Sequence, residues 1–101
     1  MKMVVKFDVD ADIIDVPQFV IDNREVLRRR FLKWLSSKNT NHKYWRKWTS
    51  SSGLEIWGLQ YRSDAFVEWL NKKVLCNAKD KAVILQEKIW EYPEDLPFIF
   101  F

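Results

Sequence analysis

The N-terminal segment alternates apolar side chains with other residues at a period of two. Its apolar positions are Met3, Val5, Phe7 and Val9. Because successive side chains of a strand point to opposite faces of a sheet, this alternation predicts a β-strand with one apolar face. Asp8, Asp10 and Asp12 lie at its end, where we expect a solvated loop.

A helix is predicted next. The carboxylate of Asp22 suits the N-cap, where it accepts hydrogen bonds from free amides of the first turn, and Glu25 completes a capping box. The apolar positions that follow recur at helical spacing and share one face. These positions are Leu27, Phe31, Trp34 and Leu35. Residues 36–41 end the helix.

The middle of the chain predicts a hairpin. Residues 42–49 are rich in aromatic side chains, and residues 54–61 are apolar and β-prone. Residues 50–53 separate the two segments and have the composition of a turn, in which Gly53 can adopt a positive φ angle.

A second helix and a last strand complete the series. Ser63 or Asp64 can cap the helix. Its inward positions are Phe66, Val67, Leu70 and Val74. Residues 81–90 are dense in β-formers and predict a strand. Residues 92–101 form an apolar C-terminal tail.

The predicted order is β-α-β-β-α-β, in a single α+β domain over residues 1–101. Right-handed crossovers would give a four-stranded antiparallel sheet with both helices on one face, which is the ferredoxin-like arrangement. Many unrelated functions use this fold, so the fold alone does not indicate an activity.

Charge is distributed unevenly along the chain. The net charge is only +3, but residues 8–22 carry five aspartates and no cation. Residues 24–47 then carry nine cations against the single carboxylate of Glu25. This basic block favours a polyanionic or acidic partner for the middle of the chain.

The sequence offers little for catalysis. His42 and Cys76 are the only residues of their types, which excludes an internal disulfide, paired-histidine metal sites and most relays with two catalytic groups. Asp8, Asp10 and Asp12 match the start of a calcium loop, but Ile13 replaces the turn glycine. We therefore expect a protein that is not an enzyme and uses no cofactor and no metal.

The longest apolar run, residues 82–85, is too short to span a bilayer, and the N-terminus lacks a signal sequence. A cytoplasmic location without membrane attachment is therefore expected.

The predicted hairpin places aromatic rings and cations on both of its faces. Aromatic rings can stack on nucleic-acid bases while neighbouring cations hold phosphates. The candidate binding residues, including the first helix, are Arg28, Arg29, Lys33, Lys43, Tyr44, Trp45, Arg46, Lys47 and Trp48. The aromatic motif of RNA-recognition domains is not matched, so no family resemblance follows. The leading hypothesis is a non-catalytic module that binds nucleic acid, or the nucleic-acid channel of a larger machine.

Other interpretations stay open. In one, the rings are ordinary packing and the tail folds back over them. In another, the chain is a protein-binding inhibitor, such as a phage-encoded inhibitor of a host defence nuclease of the anti-CRISPR kind. Its anchoring residues would then be Phe98, Phe100 and Phe101. A metal-dependent nuclease using Asp8 and Asp10 is a third alternative, and homodimerisation through an edge strand or the tail is also open.

Overall fold

The computed structural model describes residues 1–37 and 42–101. Its strands are β1 (Lys2–Lys6), β2 (Ala11–Asp15), β3 (Trp45–Thr49), β4 (Glu55–Leu59), β5 (Val83–Ile89) and β6 (Phe98–Phe100). Its helices are α1 (Gln18–Asp22), α2 (Arg24–Ser36) and α3 (Ser63–Trp69), and a π-helical segment (Leu70–Val74) continues α3.

Four of the strands form one mixed sheet in the order β5-β2-β1-β6. β2 is antiparallel to both β1 and β5, whereas β6 runs parallel to β1. The α+β class and a four-stranded sheet are therefore confirmed, but the prediction that the sheet is purely antiparallel is wrong. The physical reason is that the apolar tail supplies β6, which enters the sheet beside β1 in the same direction.

The predicted hairpin forms, but outside this sheet. β3 and β4 pair only with each other in a second, two-stranded sheet, and Gly53 in the turn has a φ angle of 85°. The ferredoxin-like order is therefore not confirmed, because β1 lies between β2 and β6, and neither hairpin strand joins the four-stranded sheet.

The main core lies between the four-stranded sheet and the helices. The sheet contributes Met3, Val5, Ile14 and Ile99 to this core, and the helices contribute Leu27, Phe31, Leu35, Phe66 and Leu70. Both α2 and α3 therefore pack on one face of the sheet. The ring of Phe31 is central, because it makes edge-on contacts with the rings of Phe66 and Trp69 at centroid distances of 5.3 and 5.8 Å.

The start of α2 differs from the prediction. Asn23, rather than Asp22, precedes the first helical residue, and no side chain caps the helix. Asp22 closes α1 instead, where its carboxylate accepts a hydrogen bond of 2.8 Å from the side chain of Gln18. The capping box is not formed because Asp22 is the last residue of α1 and Asn23 takes the N-cap position of α2.

The expected solvated loop after β1 is instead a turn followed by a buried strand. Asp12 lies within β2 and is fully buried. Its carboxylate accepts hydrogen bonds from Arg62 Nη2 at 2.7 Å, Ser63 Oγ at 2.5 Å and the backbone N–H of Lys88 at 2.9 Å. Burial raises the pKa of Asp12, but these hydrogen bonds outweigh burial and hold the pKa below its ordinary value of 3.8.

This network joins three elements. Arg62 also bridges to Asp10 at 2.9 Å, and Ser63 begins α3. Lys88 lies in β5 with a φ angle of 54°, a left-handed backbone conformation that residues other than glycine rarely adopt. Asp12 therefore fastens β2 to the start of α3 and to an irregular part of β5.

Candidate functional site

The hairpin, defined here as residues 45–59, contacts the main core through Leu59, and most of its other residues are exposed. None of its residues is fully buried, and neither of its strands pairs with the four-stranded sheet. β6 of the C-terminal tail pairs with β1, and Trp57 of the hairpin is 60% exposed. The expectation that the tail covers the rings of the hairpin is therefore wrong for Trp57.

Each face of the hairpin carries one exposed tryptophan beside a cation. Arg46 and Trp48 share one face, while Lys47 and Trp57 lie opposite each other on the other face. Trp48 is 48% exposed and Trp57 is 60% exposed. The Lys47 ammonium lies 5.8 Å from the centre of the Trp57 ring and also pairs with Glu55 at 2.9 Å.

Gly58 determines how the Trp48 ring lies. A Cβ atom at Gly58 would come within 2.6 Å of Cη2 of Trp48, so glycine leaves room for the tip of the indole against the neighbouring strand. Trp48 packs there and still has 48% of its surface exposed. The exposed part of the ring is available to a stacking partner.

The base of the hairpin is held by Glu68 of α3. Its carboxylate accepts a hydrogen bond of 2.5 Å from the Tyr44 hydroxyl and pairs with Lys43 at 3.0 Å and Lys72 at 2.8 Å. Hydrogen bonds from Lys72, Tyr44 and Lys43 lower the pKa of Glu68 to about 2. Burial, together with Glu68, raises the pKa of the Tyr44 hydroxyl.

Tyr44 therefore anchors the base of the hairpin, and its ring is not available for stacking. It was predicted as a stacking residue, but only 5% of it is exposed. Glu68 was not among the residues predicted from the sequence, although its i,i+4 spacing with Lys72 indicates an ion pair on a helix. Its contact with Tyr44, which lies 24 positions away, could not be predicted from the sequence.

His42 also contributes to the base. Its Nε2 lies 2.8 Å from the carbonyl oxygen of Leu35, at the end of α2. The imidazole packs against two indoles, at centroid distances of 4.7 Å from Trp34 and 6.1 Å from Trp45. Trp45 is half-buried in this stack, so its ring is less available than those of Trp48 and Trp57.

A basic cleft lies beside this base. It has a volume of about 450 Å³ and is lined by Trp34, His42, Lys43, Tyr44, Glu68, Trp69, Lys72 and Lys73. Lys73 makes no ion pair with any residue in the described ranges, whereas Lys43 and Lys72 share Glu68. We name this feature the hairpin-base cleft.

The cations predicted as binding residues on a helix lie on α2, and not all of them are directed to the hairpin. They are Arg28, Arg29 and Lys33. Arg28 Nε donates a hydrogen bond of 2.5 Å to the carbonyl oxygen of Phe100, which directs this guanidinium to the C-terminal tail. Arg29 and Lys33 are exposed on α2, and Arg29 Nε approaches the carbonyl oxygen of Glu25 at 3.4 Å.

The C-terminal tail alternates between core and surface. Ile99 is buried, and Phe101 is half-buried with its ring centre 5.3 Å from that of Phe31. Phe98 and Phe100 point to the opposite face of the sheet, where they are 42% and 53% exposed.

Within residues 1–37 and 42–101, no group of three or more His, Cys, Asp or Glu side chains is arranged to hold a metal ion. In the same part of the chain, no helix has the length and apolar character needed to cross a membrane. No protein-family model matches the chain, and searches of curated proteins and of solved structures return no significant match.

Proposed function

We propose that this chain is a non-catalytic binding module that engages single-stranded nucleic acid through the hairpin. The observation that carries the proposal is the pair of exposed indoles, Trp48 and Trp57, each beside a cation on its own face of the hairpin. Proteins that bind single strands combine aromatic stacking platforms with cations that follow the backbone.

The charge around the hairpin supports a polyanionic ligand. Arg46 and Lys47 lie on opposite faces, and Lys73 adds a cation at the hairpin-base cleft. A strand that stacks on Trp48 would place its phosphates near Arg46, on the same face. Each phosphate that a cation neutralises releases condensed counterions, so affinity should fall steeply as salt increases.

The test is fluorescence anisotropy with labelled oligo(dT) and oligo(U) at low salt. We expect the double variant Trp48→Ala/Trp57→Ala to bind about 30-fold more weakly or worse, because stacking contributes roughly 1–3 kcal/mol per base and two rings are removed. Arg46→Ala/Lys47→Ala should also bind more weakly. The slope of log affinity against log salt concentration should be smaller in magnitude for this variant than for the wild type. The difference should be about 0.7 for each phosphate of a single strand that the variant no longer neutralises.

Trp90→Ala is the matched control. Trp90 is 73% exposed but lies outside the hairpin, so its removal should leave the affinity unchanged. The proposal would be abandoned if wild-type protein bound neither oligonucleotide at low salt, or if the Trp90 variant lost as much affinity as the hairpin variant.

A further inference from the structure

The sheet face opposite the helices carries a second aromatic surface with a different charge. Val4 and Lys6 of β1 lie beside Phe98 and Phe100 of β6 on this face. The segment after β5 crosses it and leaves an open cleft of about 420 Å³. The cleft is lined by Val4, Lys6, Trp90, Glu91, Tyr92, Pro93, Glu94, Leu96 and Phe98, and we name it the acidic aromatic cleft.

An ammonium group already occupies a cage of aromatic rings in this cleft. Lys6 Nζ lies 3.9 Å from the ring centre of Phe98 and 5.2 Å from those of Tyr92 and Phe100. All three distances are within the range of cation–π attraction. Lys6 has no ion pair with any residue that the structure describes, so the rings are its principal partners.

Carboxylates line the same cleft as this cage. Glu91 and Glu94 line the acidic aromatic cleft, and neither forms an ion pair within the described ranges. An adjoining cleft of about 260 Å³ shares Lys6, Trp90 and Tyr92. It is also lined by Asp8 and by Asp10, which pairs with Arg62. Among the residues that the structure describes, Lys6 is therefore the only cation against several carboxylates in the lining of the two clefts.

We propose that this face binds an arginine-bearing segment of a partner protein, whose guanidinium displaces Lys6 from the aromatic cage. Arg is the cation most often found over aromatic faces, and its planar group suits both ring stacking and carboxylate pairing. The same carboxylates repel phosphates, so this face and the hairpin select partners of opposite charge. The inference does not depend on nucleic-acid binding by the hairpin.

The experiment uses the full chain and a fluorescein-labelled peptide of alternating Arg and Gly, with a Glu-Gly peptide of equal length as the negative probe. We expect saturable binding of the Arg peptide alone. Glu91→Gln/Glu94→Gln should weaken it ~5-fold or more by removing the attracting charges. Phe98→Ala/Phe100→Ala should weaken it to a similar extent by removing two walls of the cage.

Glu25→Gln/Asp80→Asn is the matched control, because it changes the net charge equally at exposed carboxylates outside both clefts. Lys6→Met removes the internal competitor and should tighten binding ~3-fold or more, since the guanidinium no longer displaces an ammonium. That gain would not arise if Lys6 merely supported the fold.

Three results would overturn the proposal. The first is absence of Arg-peptide binding. The second is an equal loss of affinity in the Glu91/Glu94 and Glu25/Asp80 variants, which would indicate attraction by net charge alone. The third is concentration-dependent self-association in sedimentation velocity that Glu91→Gln/Glu94→Gln abolishes, which would identify a second copy of the chain as the occupant. Circular dichroism confirms that each variant is folded before its affinity is compared.

Discussion

Asp12 shows how tertiary contacts allow a carboxylate in the middle of a buried strand. An unpaired charge at that position would cost several kcal/mol of desolvation. Arg62, Ser63 and the backbone N–H of Lys88 supply the donors that offset this cost. These partners lie 50 or more positions away along the chain, so the pattern of β2 alone does not reveal them.

Replacing Asp12 with Asn should therefore destabilise the fold. We expect Asp12→Asn to lower the free energy of unfolding by about 2–4 kcal/mol, because it removes the charge that pairs with Arg62 and places an amide donor against other donors. The measurement is urea unfolding at pH 7. Asp8→Asn, in the exposed turn of the same acidic motif, is the control and should change stability by less than about 0.5 kcal/mol.

The difference in unfolding free energy between the wild type and Asp12→Asn should depend on pH in a defined direction. The pKa of Asp12 is lowered in the folded state, so its stabilisation is present above the ordinary value of 3.8 and is lost as the pH falls below it. The stability gap between wild type and Asp12→Asn should therefore narrow on acidification. A gap that stays constant down to pH 2 would contradict a charged Asp12.

At the scale of elements, the hairpin is attached to the core at its base. An isolated two-stranded ribbon is marginally stable in water, so it needs support from elsewhere. The support consists of the Tyr44 hydroxyl on Glu68, the stack of His42 with Trp34 and Trp45, and the hydrogen bond of 2.9 Å from Gln60 N–H to the Tyr44 carbonyl.

This arrangement predicts that the hairpin is dispensable for folding. Because Tyr44 and Gln60 are already hydrogen-bonded, residues 45–59 can be replaced by an Asn-Gly turn. We expect the shortened chain to keep its far-ultraviolet circular dichroism and a single urea transition, with a loss of at most about 2 kcal/mol from half-buried Trp45 and Leu59. It should lose oligonucleotide binding; a chain that no longer unfolds cooperatively would show that the hairpin belongs to the core.

At the scale of the whole molecule, the C-terminal tail closes the fold and also shapes a surface. β6 gives β1 its parallel partner, and its alternate side chains point into the main core and onto the acidic aromatic face. The hairpin and that face thus lie on different parts of the molecule with opposite charge. This arrangement follows from the uneven charge along the chain.

Two variants separate the two roles of the tail. A chain that ends at Pro97 loses Ile99 and Phe101, and we expect it to lose about 5 kcal/mol or more, enough to unfold or aggregate. Phe98→Ala/Phe100→Ala keeps the buried Ile99 and removes rings that are 42% and 53% exposed, so it should lower the urea midpoint much less than the truncation does. A truncated chain with wild-type stability would show that β6 is not part of the core.

Local patterns in the sequence were sufficient for the elements that depend on local physics. Apolar spacing predicted β1 and inward residues of α2 and α3, and the density of β-formers predicted β5, because spacing and propensity act locally. The prediction that β1 has one apolar face is wrong, because its successive residues Met3, Val4 and Val5 are all buried. The hairpin and its glycine turn were also predicted, since φ preference and β-propensity act within a few residues. The same pattern placed the hairpin cations and rings next to one another.

Tertiary structure alone decided how those elements combine. Strand pairing depends on which edges meet after the chain collapses, so the sequence pattern did not exclude β3 and β4 from the main sheet or place β6 beside β1. β2 was missed because its acidic residues suggest a loop until their long-range donors are known. The openness of Trp48 and the burial of Tyr44 were decided in the same way, because exposure depends on distant residues that cover a side chain or leave it uncovered.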